Sequence, residues 1–297
     1  LRKDHPLIAQ RLRQAAKKFT KVSLLSVSAD DPLINLHARL TVAPARLAAT
    51  LAAIVKGAAE LKGSALPDGL EDISVCETSK KIAQSLVDGE KRAVFLGNVA
   101  TQSADATQLH ALALELGKLT GATVGFLGEG ANTVGGYLSG ALPKAANARQ
   151  MFEQPRKAYV LMGVEPEFDC ANPQLAVGAL KQASLVVFMS AFKHSAALDY
   201  ADVMLPISPF TETSGTYVNA EGRAQSFNGV VKPRGDARPA WKVLRVLGNV
   251  LNLDGFGYSS SEEVRDEVLG KEIEFVAGLN NDLDSVRICL SQPSVSG

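Results

Sequence analysis

Ala93-Val-Phe-Leu-Gly97 and Thr123-Val-Gly-Phe-Leu127 are short apolar runs on either side of a helical stripe, Leu109, Leu112, Ala113, Leu116 and Leu119, that stops at Gly121. Apolar runs of four or five residues read as buried strands, and apolar positions three and four apart read as the core face of a helix. Strand, helix, strand in that order is a crossover unit, which places the strands parallel. Ser103 is the expected N-cap of the helix. The alternation continues through Ala158-Tyr-Val-Leu-Met-Gly163, a helix from Pro173 to Gln182, Leu185-Val-Val-Phe-Met189 and Asp202-Val-Met-Leu-Pro206. The spacing predicts an α/β fold with doubly wound, mostly parallel sheets.

Working toward the N-terminus, Pro6 to Lys18 reads as a helix feeding a strand at Lys21–Ser28. Residues 29–44, with Pro32 and Pro44, read as irregular. A second helix follows Pro44 with Leu47, Leu51, Ile54, Val55, Ala58 and Leu61 on one face and Gly63 past its end. Residues 62–72 form a link, and Ser79 to Val87 a further helix. Working the other way, the pattern changes after Pro206. Thr216–Asn219 and Arg223–Phe227 read as a β-hairpin, an excursion spanning 212–228, with Gly222 supplying a positive φ in its turn. Pro239 is expected at the first position of a helix reaching about Leu251. The domain expectation is residues 1–90 as the end of one α/β domain plus link, 91–253 as a second, and 254–297 as a peripheral helix and tail.

Composition narrows the function. Lysine plus arginine and aspartate plus glutamate number 31 each, so nothing electrostatic favours nucleic acid or an anionic membrane. Apolar residues make up 46% but aromatics only 6%, which suits helices packed on a parallel sheet. Cys76, Cys170 and Cys289 are scattered, as are His5, His37, His110 and His194. None falls at metal-ligand or cluster spacing, so neither a zinc site nor an iron–sulfur cluster is expected in this chain. No apolar run is long enough for a membrane span, and residues 1–20 are basic and amphipathic rather than a signal peptide. Leu1-Arg-Lys3 reads as mid-domain sequence, so the chain is expected to be part of a longer one.

Four groups invite chemistry. Gly125–Gly136 is glycine-rich after a strand, but the dinucleotide pattern would need glycine at Thr133 and no Gly-Lys-Ser/Thr follows. A tight strand-to-loop connection is the better reading. Glu165, Glu167 and Asp169 follow a strand's C-terminal end, where α/β folds bind ligands. No histidine or nucleophile is beside them in sequence, so solvated loop carboxylates are expected. Lys193-His194-Ser195 reads as an exposed turn, because adjacent residues seldom assemble a triad. Glu221 and Arg223 flank Gly222 and could share a face, with a structural turn slightly favoured over a ligand contact.

The stretch Phe210-Thr-Glu-Thr-Ser-Gly-Thr-Tyr-Val-Asn-Ala-Glu-Gly-Arg-Ala-Gln225, then Pro233-Arg-Gly-Asp-Ala-Arg-Pro-Ala-Trp241, resembles the molybdopterin oxidoreductase family, and Ala201–Pro206 resembles one of its strands. The residues that carry the resemblance are Asp202, Pro206, Glu212, Gly215, Thr216, Asn219, Glu221, Gly222, Arg223, Gln225, Arg238, Pro239 and Trp241. The implied fold is that family's Rossmann-like α/β architecture, and these residues are expected to mark structure, with no catalytic, cofactor-binding or metal residue among them. Within the family, Leu1–Pro6, Gly130–Gly136, Gly163–Asp169 and Trp241–Asn249 are similar to the large iron–sulfur subunit of the respiratory NADH:quinone oxidoreductases (respiratory complex I).

That similarity implies a non-catalytic scaffold supporting electron transfer from NADH to quinone. Iron–sulfur clusters would lie in a part N-terminal to this chain. The partners would be other subunits of the peripheral arm, with no nucleic acid and no direct membrane insertion. The location would be cytoplasmic, peripheral to the inner membrane. Catalytic members carry Asn-Pro where Glu165-Pro166 stands and a different turn where Lys193–Ala197 stands. Both departures argue against a bound molybdopterin, because a carboxylate opposes a polyphosphate. The alternatives are part of an active molybdopterin enzyme, such as a formate dehydrogenase or nitrate reductase, and a nucleotide-binding module.

Overall fold

The structure is a computed structural model that describes residues 1–270 together with Ile288 and Leu290. It is a mixed α/β protein with several mostly parallel sheets, as the strand and helix alternation predicts. The chain packs as two compact units that divide between Thr133 and Val134.

In the first unit, α1 (Pro6–Ala16) precedes β1 (Val22–Ser26), which pairs in parallel with β2 (Leu36–Thr41). β2 lies inside the stretch expected to be irregular. Its sequence, Leu-His-Ala-Arg-Leu-Thr, alternates apolar and polar with a period of two, the mark of a half-buried strand. The flanking prolines obscure that signal. α2 (Leu47–Lys62) is buried on more than one face, with Ala52, Val55 and Ala58 fully inaccessible, and Gly63 ends it in the left-handed region at φ 60°. Its second buried face is met by α3 (Glu77–Asp88), where Gly57 allows Val75 and Ala83 to approach.

β3 (Ala93–Leu96) and β4 (Thr123–Phe126) are parallel. Between them lie a single turn, α4 (Asn98–Thr101), and α5 (Ala106–Thr120). Leu109, Leu112 and Leu116 of α5 join Leu51, Ile54, Val55 and Ile82 in one core, to which Ile288 and Leu290 add partly buried contacts. The helix starts later than expected. Ser103 does not cap it: the Ser103 carbonyl accepts from the Ala106 N–H and its hydroxyl accepts from the Asp105 N–H, both at 3.1 Å, so it closes a turn before the helix.

α6 (Thr133–Leu138) spans the division. In the second unit, α7 (Ala148–Glu153) opens with a capping box in which Asn147 and Gln150 satisfy each other's backbone N–H. β5 (Ala158–Met162), β6 (Leu185–Ser190) and β7 (Val203–Pro206) form a three-stranded parallel sheet in that order. The turn α8 (Pro166–Asp169) and the helix α9 (Pro173–Lys181) connect β5 to β6, and the Asn172 side chain caps α9. Tyr159, Leu161, Leu180, Val186, Phe188, Ala197 and Tyr200 form the core. Alternate residues of β5 point the other way, leaving Val160 and Met162 at 52% and 46% exposure, with Val203 exposed on the same face.

The expected hairpin is present as β8 (Gly215–Val218) and β9 (Ala224–Phe227). α10 (Ala240–Val250) begins one residue after the position expected, with Pro239 as its N-cap. Proline fixes φ but leaves ψ free. At ψ 132° Pro239 stays extended while its carbonyl accepts from the Lys242 N–H at 2.9 Å. α11 (Ser261–Leu269), capped by Ser260, is the peripheral helix; apart from Gly270, Ile288 and Leu290 the rest of the tail, Cys289 included, lies outside the described residues. No helix among the described residues is long and apolar enough to cross a membrane.

Two helical glycines separate packing from conformational entropy. A Cβ on Gly248 would sit 2.3 Å from the Phe256 ring, whereas one on Gly178 meets nothing within 4 Å. Urea unfolding should show Gly248→Ala destabilised by about 1–3 kcal/mol through overpacking. Gly178→Ala should be stabilised by about 0.5–1 kcal/mol. A loss on Gly178→Ala would mean that its surroundings are not open.

Candidate functional site

The C-terminal edge of β5–β6–β7 gathers the titratable side chains. β5 ends at Met162, and Gly163 turns at φ 63° while its N–H bonds to the Met189 carbonyl of β6 at 2.9 Å. The chain then enters α8, where the Asp169 carboxylate accepts from the Glu165 N–H at 2.7 Å. Glu167 faces the loop after β6. His194 Nε2 lies 3.2 Å from Glu167 Oε2, and His194 Nδ1 lies 3.9 Å from Glu165 Oε1. The Tyr200 hydroxyl donates to the same Glu167 oxygen at 3.4 Å.

Two aromatic rings hold the imidazole. Phe188 stacks on it with centroids 6.3 Å apart, and Phe168 meets it edge-on at 5.9 Å. Lys193 and Ser195 are exposed as expected, but with 14% of its side chain exposed His194 turns inward between them, and Glu165 and Glu167 are not simply solvated. Sequence separation hid this pairing, because the partners are 27 and 33 residues apart. The usable signal was that both segments follow the ends of strands that prove to be neighbours.

The electrostatics follow from burial beside carboxylates. Burial and then the Glu167 carboxylate push the Tyr200 phenol well above its ordinary range. Burial, Asp169 and Glu167 push the Cys170 thiol up. Both groups stay protonated at neutral pH. No cluster of three or more histidine, cysteine or acidic side chains that could hold a metal occurs among the described residues. The arrangement can hold a proton between His194 and Glu167, but it contains no activated nucleophile.

The hairpin residues are mostly engaged with their own backbone. Asp202 accepts from the Val186 N–H at 2.7 Å and so ties the start of β7 to β6. Pro206 ends β7, and its carbonyl accepts from the Arg238 N–H at 3.3 Å. Glu212 accepts from the Arg234 N–H at 3.1 Å. Gly215 leaves room for the Phe227 ring, which a Cβ would approach to 2.9 Å. The Thr216 hydroxyl meets the Ser226 hydroxyl across the strands at 3.0 Å. The Asn219 side chain accepts from the N–H groups of Glu221 and Arg223, and Gly222 sits at φ 80°. Gln225 lies opposite Tyr217. Glu221 and Arg223 are exposed and form no ion pair among the described residues. Arg238 donates to the carbonyls of Gly235 and Ala237. Trp241 lines an open groove of about 730 Å³ behind the hairpin.

The comparisons with known proteins meet this geometry. The family model described as molybdopterin oxidoreductase matches residues 1–250. The chain belongs to the molybdopterin oxidoreductase family. A Staphylococcus aureus protein provisionally named a formate dehydrogenase is 42% identical over 69 residues, which is 23% of this chain and 7% of that protein. A similarly named protein of Staphylococcus haemolyticus is 33% identical over 100 residues, 34% of this chain and 10% of its own length. The acetylene hydratase of Pelobacter acetylenicus has the same fold, with a TM-score of 0.63 and 15% identity over 86% of this chain and 46% of that one. The matched region is therefore a small part of the curated relatives and under half of the solved one.

The family's name implies a molybdopterin cofactor. A polyphosphate-bearing group needs N–H or cationic donors around it. At the β5–β6–β7 edge the loop after β5 presents Glu165, Glu167 and Asp169, the Glu165 N–H is already taken by Asp169, and His194 is engaged with Glu167, so that Lys193 is the cation left in the loop after β6. At the glycine-rich loop, Thr133 Oγ1 accepts from the Gly130 N–H at 3.1 Å, and the Thr133 side chain fills the space above Gly128 and Gly130. This is a tight connection, as expected from the sequence. Neither place fits a polyphosphate.

Glu167 is the hub of the edge, so Glu167→Ala should cost about 1–3 kcal/mol by leaving His194 and Tyr200 without a partner. Glu165→Ala should stay within about 0.5 kcal/mol. Equal effects in thermal melts would refute the hub. The thiols offer a separate check. Cys76 caps α3, and the Ser79 hydroxyl and N–H at its Sγ hold its thiol below the ordinary range. At mildly alkaline pH, iodoacetamide followed by mass spectrometry should label Cys76 severalfold faster than Cys170.

Proposed function

We propose that this chain is a region of the large subunit of a molybdopterin-family oxidoreductase of the formate dehydrogenase kind, and that it frames redox centres carried by the rest of that polypeptide. The names of the staphylococcal relatives support the formate dehydrogenase assignment. The scaffold role rests on one observation: the sheet edge where such folds bind ligands is closed by its own Glu167–His194–Tyr200 cluster. The exposed Val160, Met162 and Val203 on a parallel sheet, which ordinarily is covered on both faces, also suit a part that packs inside something larger.

A second reading is favoured by the same acidic edge. Three carboxylates where a polyphosphate would dock suit a member that has kept the fold without the cofactor. On that reading the chain belongs to the large iron–sulfur subunit of NADH:quinone oxidoreductase. It would contact other subunits of the peripheral arm, on the cytoplasmic side of the inner membrane.

Metal analysis of the full-length protein, purified with whatever partners accompany it, separates the two. The first reading expects stoichiometric molybdenum or tungsten and formate-dependent dye reduction. The second expects neither metal, substantial iron and NADH-driven quinone reduction. A full-length protein with no redox metal at all would defeat both.

A further inference from the structure

We infer that the surface formed by α1, the turn after it and the first turns of α3 docks on an anionic phospholipid bilayer. The chain's zero net charge hides an uneven distribution. Residues 1–21 carry seven lysines and arginines against one acid, which leaves 24 against 30 for the remainder. On α1 the exposed residues are Pro6, Leu7, Gln10, Arg11 and Gln14, and residues 17–21 beyond its end are all exposed. Positions 7, 10, 11 and 14 share one helix face. Arg13 is engaged elsewhere, donating to the Leu33 carbonyl at 2.8 Å.

The fold adds cations from a distant part of the sequence. Lys80 and Lys81 of α3 are exposed. His37 on β2 senses both Lys81 and Lys21: burial and then these two charges hold its imidazole below the ordinary range, and no carboxylate among the described residues offsets them. Lys21 and Lys81 are thus brought to one neighbourhood. None of Arg11, Lys17, Lys18, Lys21, Lys80 and Lys81 forms an ion pair among the described residues, and Asp4 and Glu77, the acids of these segments, pair with none of them.

Unpaired cations attract an anionic surface, and the side chains chosen narrow which one. All but Arg11 are lysines. Protein interfaces favour arginine and are depleted in lysine, whereas clusters of lysine suit phospholipid head groups. Phe19 is 97% exposed between Lys18 and Lys21, and Leu7 is 78% exposed on the α1 face that carries Arg11. A ring held among lysines can enter the head-group layer while the ammonium groups stay at the phosphates. A strand of nucleic acid would need successive rings to stack on, and Phe19 is the only phenylalanine, tyrosine or tryptophan in residues 1–94. Every group involved belongs to this chain, so neither reading of the full-length oxidoreductase is required.

The full-length protein is sedimented with vesicles of phosphatidylcholine alone and of phosphatidylcholine with equimolar phosphatidylglycerol. Partitioning onto the anionic vesicles should be at least about tenfold stronger at low salt, and should vanish near 1 M salt, where the Debye length falls to about 3 Å. The triple variant K17E/K18E/K21E should lose the preference. Phe19→Ser should weaken partitioning severalfold while leaving its salt dependence. Equal partitioning onto the two kinds of vesicle, or an unchanged preference in the triple variant, overturns the proposal. So does stronger retention of the protein by oligodeoxythymidylate or polyglutamate than by the vesicles at matched anionic charge, which would assign the surface to nucleic acid or to an acidic protein. Should the triple variant fail to fold, Phe19→Ser decides: partitioning equal to that of the unaltered protein sinks the idea.

Discussion

The register of the three-stranded parallel sheet governs the second unit. Met162 pairs with Met189, and Ser190 with Pro206, so the three strands end almost level. Level ends deliver the loops after β5, β6 and β7 to one edge, which is why Glu167, His194 and Glu212 all lie in segments leaving that edge. A one-residue slip would turn Tyr159, Val186 and Phe188 out of the core. Asp202 opposes such a slip, since its carboxylate holds the Val186 N–H while its own N–H bonds the Val186 carbonyl.

That constraint produces a tension between family and chemistry. Open α/β sheets bind ligands at the C-terminal ends of their strands, and here that edge is filled from within. Glu167 accepts from Tyr200 and meets His194, and Phe168 and Phe188 enclose the imidazole. A carboxylate bound by its own neighbours is satisfied without a ligand. Glu167 thus gathers a polar cluster that is satisfied from within.

The fold was legible in the sequence wherever local and global signals agreed. Leu109, Leu112 and Leu116 recur at helical spacing and are buried together; Gly63 and Gly121 sit where left-handed caps end their helices. The hairpin could be read from Asn219 and Gly222, because turn chemistry is local. Leu36–Thr41 was hidden by its flanking prolines, and the starts of α5 and α10 by competing hydrogen bonds at Ser103 and Pro239. The site was the least legible part. That His194 meets Glu167 depends on which strands are neighbours, and no residue near either one encodes it.

The residues that mark the family largely hold backbone. Asp202, Glu212 and Asn219 spend their side-chain oxygens on main-chain N–H groups, Gly215 makes space for Phe227, and Arg238 binds carbonyls of its own loop. Groups engaged in this way fix the course of the chain between Asp202 and Trp241, and little of their hydrogen-bonding capacity is left for a substrate. Such a signature reports ancestry through geometry, and a fold can persist where the chemistry of its relatives does not. In this chain the residues from Asp202 to Trp241 hold the backbone of the hairpin and its flanks, while the neighbouring sheet edge gathers Glu165, Glu167 and Asp169.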